Sequence, residues 1–147
     1  MRMLDSERGG DSARVKGTFD VKLTPQPPFG MTEAVGLARV GVDKQFHGPL
    51  AATSHAEMLS ANTTVQGSAG YVAIELVTGT LQGRTGGFVL QHSGTMTRGT
   101  PSLALTVVPD SATGDLRGLS GRMKIDIVDG QHFYTFDYDL PPGGAPA

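Results

Sequence analysis

Residues 67–96 read GSAGYVAIELVTGTLQGRTGGFVLQHSGTM, and the folding of this stretch decides the folding of the chain. Two apolar runs with strand-like residue choice flank a glycine-rich turn, which is the pattern of a β-hairpin. The first run carries Glu75 and the second carries His92. With the turn centred on Gly83-Arg84, Leu81 pairs with Gly86 and Glu75 falls directly opposite His92, with Tyr71 and Phe88 on the same face. A slip of one residue sends the two ionisable groups to opposite faces. The parity of Glu75 therefore carries the functional reading.

The flanking sequence extends the same pattern. From Arg14 the chain alternates, with Val15, Phe19, Val21 and Leu23 against Lys16, Thr18, Asp20 and Lys22, which is a strand with one wet face. Pro25, Pro27 and Pro28 stop it. A second strand is expected over Glu33 to Val42. Residues 45–64 admit two readings: two strands, with Gly48-Pro49 as an interruption, or a helix over His55 to Ala61. The strand reading is preferred. Ser102 to Val108 is a further strand, ended by Pro109. Arg122 to Val128 alternates strictly, Asp129-Gly130 is a two-residue hairpin turn, and Gln131 to Leu140 is the last strand, ended by Pro141-Pro142. In that last strand His132, Tyr134, Phe136 and Tyr138 form one row and Phe133, Thr135 and Asp137 the other.

About eight short strands and no long amphipathic helix define an all-β fold. A single antiparallel up-and-down β-barrel is expected, because closing the meander removes the exposed edges of an open sheet. The 21 glycines in 147 residues, about twice the average usage of ~7%, punctuate such strands. One domain is expected over 14–140, between a disordered N-terminal tail at 1–13 and a disordered C-terminal tail at 141–147.

Composition removes several functions. A net charge of −2 provides no basic excess for nucleic acid or anionic membrane, and no apolar run reaches the length of a membrane span. The absence of cysteine excludes disulfides, thiolate catalysis and cysteine-held metal, and fits a cytoplasmic location. The four histidines, His47, His55, His92 and His132, lie on different expected strands without the local spacing of a metal site, and Asp110 to Asp115 lacks the ligand spacing of a calcium loop. Neither metal nor cofactor is expected.

Residues 67–96, with VVPDSATGDLRGLSGRMKI at 107–125 and GQHFYTFDYDL at 130–140, resemble the bacterial family catalogued as domain of unknown function 3224. The resemblance reaches Gly17 to Val21 and Gln45 to Ala61, although His47-Gly48-Pro49-Leu50 stands where the family is expected to carry Gly-Asp-Leu. It implies an allene oxide cyclase-like barrel with an interior suited to a small molecule, and assigns no substrate.

Two functions are weighed on this basis. In the first, the barrel binds a mostly apolar small molecule and acts as a cofactor-free cyclase or isomerase, with Glu75 and His92 as the general acid–base pair. Tyr71, Phe88, Tyr134, Phe136 and Asp137 are then the candidate substrate-binding residues, although for Asp137 an outward, solvated position is the preferred reading. In the second, the chain is a non-catalytic ligand-binding or assembly module. That reading rests on the second apolar row of the hairpin, Val72, Ile74 and Leu76, which suits a homo-oligomer.

Overall fold

The computed structural model describes residues 11–142. Eight long strands, joined in chain order, wind into a closed antiparallel barrel: β1 (Asp11–Pro25), β3 (Val35–His47), β4 (Leu50–Thr63), β5 (Ala69–Leu81), β6 (Arg84–Thr97), β7 (Thr100–Val107), β8 (Ser120–Val128) and β9 (Gln131–Leu140). A two-residue strand, β2 (Gly30–Met31), lies beside β3. β1 pairs with β3 on one side and with β9 on the other, which closes the ring. No helix among the described residues is long and apolar enough to cross a membrane. β1 begins at Asp11, ahead of the expected barrel start at Arg14. The rest of the expected tails, 1–10 and 143–147, lies outside the described residues.

The central hairpin is β5–β6, and its register differs from the expected one. Leu81 pairs with Arg84, so the turn is Gln82-Gly83, with φ of 45° and 85°. A two-residue turn with both residues at positive φ matches the twist of the strands it joins, and glycine takes its second position without steric cost. The expected turn at Asp129-Gly130 has the same geometry. The slip in β5–β6 amounts to two residues, one full side-chain period, so it preserves parity. Glu75 now faces Leu90 across the ladder and His92 faces Ala73. They still share a face, one diagonal step apart, and that face is the inward one.

Residues 45–47 and 50–63 are strand. Gly48-Pro49 is the β3–β4 turn itself rather than an interruption within a strand, and β4 runs unbroken from Leu50 to Thr63. The helix alternative fails because Ala52, Ser54 and Ala56 are buried while Thr53, His55 and Glu57 are exposed, a period of two.

The two ends of the barrel are filled differently. At one end Phe46, Leu50, Leu81, Phe88, Tyr134 and Phe136 are fully buried. Phe88 and Phe136 stack with centroids 5.8 Å apart. The Tyr134 hydroxyl donates to the His47 carbonyl at 2.9 Å and accepts from the Leu50 N–H at 3.0 Å, tying β9 to the β3–β4 turn. The connection 108–119, with a 3₁₀ turn at Gly114–Leu116, plugs this end with Leu116 and Leu119. It is stitched to β6 by Val108 N–H to Val89 O and Thr113 N–H to Gly87 O, each 2.8 Å.

The other end is open. There β7 and β8 diverge, and the only ladder pair between them among the described residues is Thr106↔Arg122. The remaining length of both strands faces a gap.

Candidate functional site

The open half of the lumen exists because its inward rows are short. β4 contributes Ser54 and Ala56, β5 contributes Ala73 and β6 contributes Gly94. A Cβ at Gly94 would lie 2.5 Å from the ring of Tyr71, so only glycine leaves room for that ring to lie across β6. What remains is an inner chamber of about 310 Å³ walled by Phe19, Val42, Ala56, Ala73 and Met58. An outer chamber of about 770 Å³ shares Met58, Tyr71, Ile125 and Ile127 with it. Both volumes fall in the range of small-molecule sites, ~300–1,000 Å³.

One buried polar cluster sits at the floor of the inner chamber. The Glu75 side chain is 0% exposed and that of Lys44 is 6%. Glu75 Oε1 accepts from Lys44 Nζ at 3.1 Å and lies 2.7 Å from His92 Nε2. Glu75 Oε2 accepts from the Ser54 hydroxyl at 2.5 Å. Lys44 Nζ also lies 4.9 Å from the centroid of the Phe19 ring and 5.7 Å from that of Phe46, near enough for each ring to meet the cation.

Burial by itself would push the Glu75 carboxyl up. The His92 hydrogen bond, the Lys44 charge and the Ser54 hydrogen bond outweigh it and hold the carboxyl at about 2. An ionised carboxylate only accepts, so the His92 nitrogen facing it carries the proton. In the neutral ring Nδ1 is then the basic nitrogen. Glu75 lies behind the chamber wall, whereas Lys44 and His92 form part of it. This is the geometry of a carboxylate that fixes the tautomer and orientation of an imidazole.

The other candidates distribute unevenly. Tyr71 lines both chambers, its ring 6.2 Å from that of His92. Phe88, Tyr134 and Phe136 have inward parity but lie in the packed half, away from the cavity. Asp137 lies on the outer wall in a bidentate pair with Arg14, at 2.6 and 3.0 Å. The histidines are scattered: His47 pairs with Asp20 and His55 with Asp43 and Glu57 on the outside, while His132 lines the inner chamber with His92. Among the described residues no group of three acidic or histidine side chains is placed to hold a metal.

Lys44, Ser54 and Phe19 were not among the sequence candidates. The signal for Lys44 was present, since a lysine stands in the alternating row Val42, Lys44, Phe46. A cation in an apolar row calls for a buried partner.

The fold and cluster define a closed eight-stranded barrel with one plugged end and one open end, floored by a buried carboxylate–imidazole–ammonium group. The family described as Protein of unknown function (DUF3224) matches residues 15–138, and the chain belongs to it. A solved protein of unknown function from the same family, from Shewanella oneidensis MR-1, is 53% identical, with a TM-score of 0.86, over 90% of this chain and 100% of that one. No curated protein matches the chain.

Proposed function

We propose that the protein binds a mostly apolar small molecule in the open half of the barrel and acts on it by cofactor-free proton transfer, as an isomerase or cyclase does. The observation that supports this reading is the ionised, fully buried Glu75 holding His92 at the floor of an otherwise apolar chamber. Desolvated charge of this kind is costly to maintain and clusters at functional sites. His92 is the proton acceptor and donor, because it reaches the chamber. Glu75, with its carboxyl held at about 2, is a poor base at neutral pH and positions the imidazole. Tyr71 walls the ligand opposite.

The test is a thermal-shift screen of apolar ketones, epoxides and enones, followed by proton NMR of each hit in D₂O. A bound carbon acid is expected to exchange its proton, with the rate falling at least 100-fold in His92→Ala, within the range of ~10²–10⁴ for general acid–base groups. Glu75→Gln is expected to move the His92 proton between ring nitrogens in ¹⁵N spectra. Ligands that stabilise the protein but never exchange, in wild type and His92→Ala alike, would leave a binding protein without this chemistry.

The assembly reading has its own support. Val72, Ile74 and Leu76 are 52%, 54% and 58% exposed on the outer wall, and Leu59 adjoins Val72 on β4. A contiguous apolar row of this kind is suited to a second copy of the chain. Light scattering at micromolar concentration is expected to show an oligomer that Ile74→Glu dissociates; a monomeric wild type would dismiss the oligomer.

A further inference from the structure

The chemistry of the two chambers defines the build of the ligand. Lys44 is almost wholly buried, lines the inner chamber and has one acceptor, Glu75 Oε1. An ammonium carries three donors, so two have no oxygen or nitrogen acceptor among the described residues. They leave room for an oxygen brought in by a ligand. A carboxylate or sulfonate oxygen would accept from these donors, in surroundings where charge-assisted hydrogen bonds are strongest.

The outer chamber contributes the opposite chemistry. Met58, Tyr71, Met96, Leu103, Ile125 and Ile127 dominate its wall. Ser102 and Asp126, which have outward parity on their strands, line it as well. The chamber therefore opens sideways through the gap between β7 and β8, where the ladder is reduced to Thr106↔Arg122. A body too long for the inner chamber has an apolar seat in the outer one and a lateral way in.

We infer that the site takes an amphipathic monoanion, its carboxylate or sulfonate on Lys44 and its apolar body in the outer chamber between β7 and β8. This inference rests on the ligand-binding half of the function proposed above and is independent of the proton-transfer half.

The experiment is calorimetric titration of the full chain with benzoate, 2-naphthoate, 6-phenyl-2-naphthoate and 2-naphthamide. Affinity is expected to rise about tenfold or more with each enlargement of the carboxylate, as apolar area enters the outer chamber. The amide is expected to bind about tenfold or more weakly than 2-naphthoate, having lost the ionic head. Leu103→Trp, at a partly exposed position on the rim of the outer chamber, should weaken the largest ligand and spare benzoate. Lys44→Met should remove the preference for carboxylate over amide. If that variant does not fold, the wild-type comparison of acid with amide decides the same point. Equal binding of acid and amide, affinity independent of ligand size, or no carboxylate binding at millimolar concentration would each overturn the inference. His92-dependent exchange on a neutral ligand, with the carboxylates inert, would overturn this inference alone. Tight carboxylate binding without exchange would overturn the proton-transfer reading alone.

Discussion

Replacing Glu75 by glutamine is expected to lower the stability of the barrel by about 3 kcal/mol above pH 5 and to cost almost nothing near pH 2. Burial opposes ionisation of this carboxyl, yet the His92 hydrogen bond, the Lys44 charge and the Ser54 hydrogen bond carry it from its ordinary 4.5 down to about 2. At ~1.4 kcal/mol for each pH unit between the two values, the ionised state contributes about 3 kcal/mol. A folded value below the unfolded one gives stability that is complete above the unfolded value. It falls away as the pH drops from about 4.5 towards 2, where the folded carboxyl protonates. Urea unfolding of both proteins between pH 2 and 7 measures the difference, in which groups common to both, such as the exposed His55, cancel. Parallel curves across that range would mean that the Glu75 charge contributes nothing to folding. Once Glu75 is neutral, adding Lys44→Met is expected to cost less than it does in the wild type, because the charge pair has already been broken.

Phe136→Ala is expected to be at least as damaging, at about 3–5 kcal/mol. Phe136 is 0% exposed, stacked on Phe88 and in contact with the Tyr138 ring at 5.3 Å. The barrel wall around it is held by the β8–β9 and β9–β1 ladders and cannot collapse into the void. Tyr71→Ala makes the contrast. Its ring borders an existing cavity at the open end, so its removal is expected to cost well under half as much stability and to weaken ligand binding instead. Denaturant midpoints for the two variants check this; equal losses would contradict a barrel packed at one end only.

The barrel was legible because its signals are local. Strict alternation in Arg122 to Val128 and in β1, with turn residues at Asp129-Gly130, specifies strand, face and connection within a few residues. The shared face of Glu75 and His92 survived an incorrect register because the error was a whole period, whereas the sequence leaves open which face of the hairpin is the inward one. What alternation does not encode is height along the barrel axis. Phe88 and Tyr71 share a face, and so do Phe136 and His132, but which member of each row sits in the plug and which in the cavity depends on strand stagger around the closed ring. Lys44 and Ser54 reach Glu75 from β3 and β4, across the part of the sequence where Gly48-Pro49 obscured the strand boundaries. A contact between residues 31 positions apart leaves no mark in either local pattern.

The closure of the ring also governs how the chain comes to be folded. β1 is synthesised first, and its outer ladder, from Asp11↔Leu140 to Phe19↔His132, is made with the strand synthesised last. Until β9 leaves the ribosome, β1 keeps a free edge and the rows that will become core and cavity line an unclosed, curling sheet. These contacts have the greatest sequence separation among the described residues and place barrel closure among the slow, late events of folding. A nascent chain halted after β8 would hold most of the barrel strands and no lumen, which ties acquisition of the site to the arrival of β9.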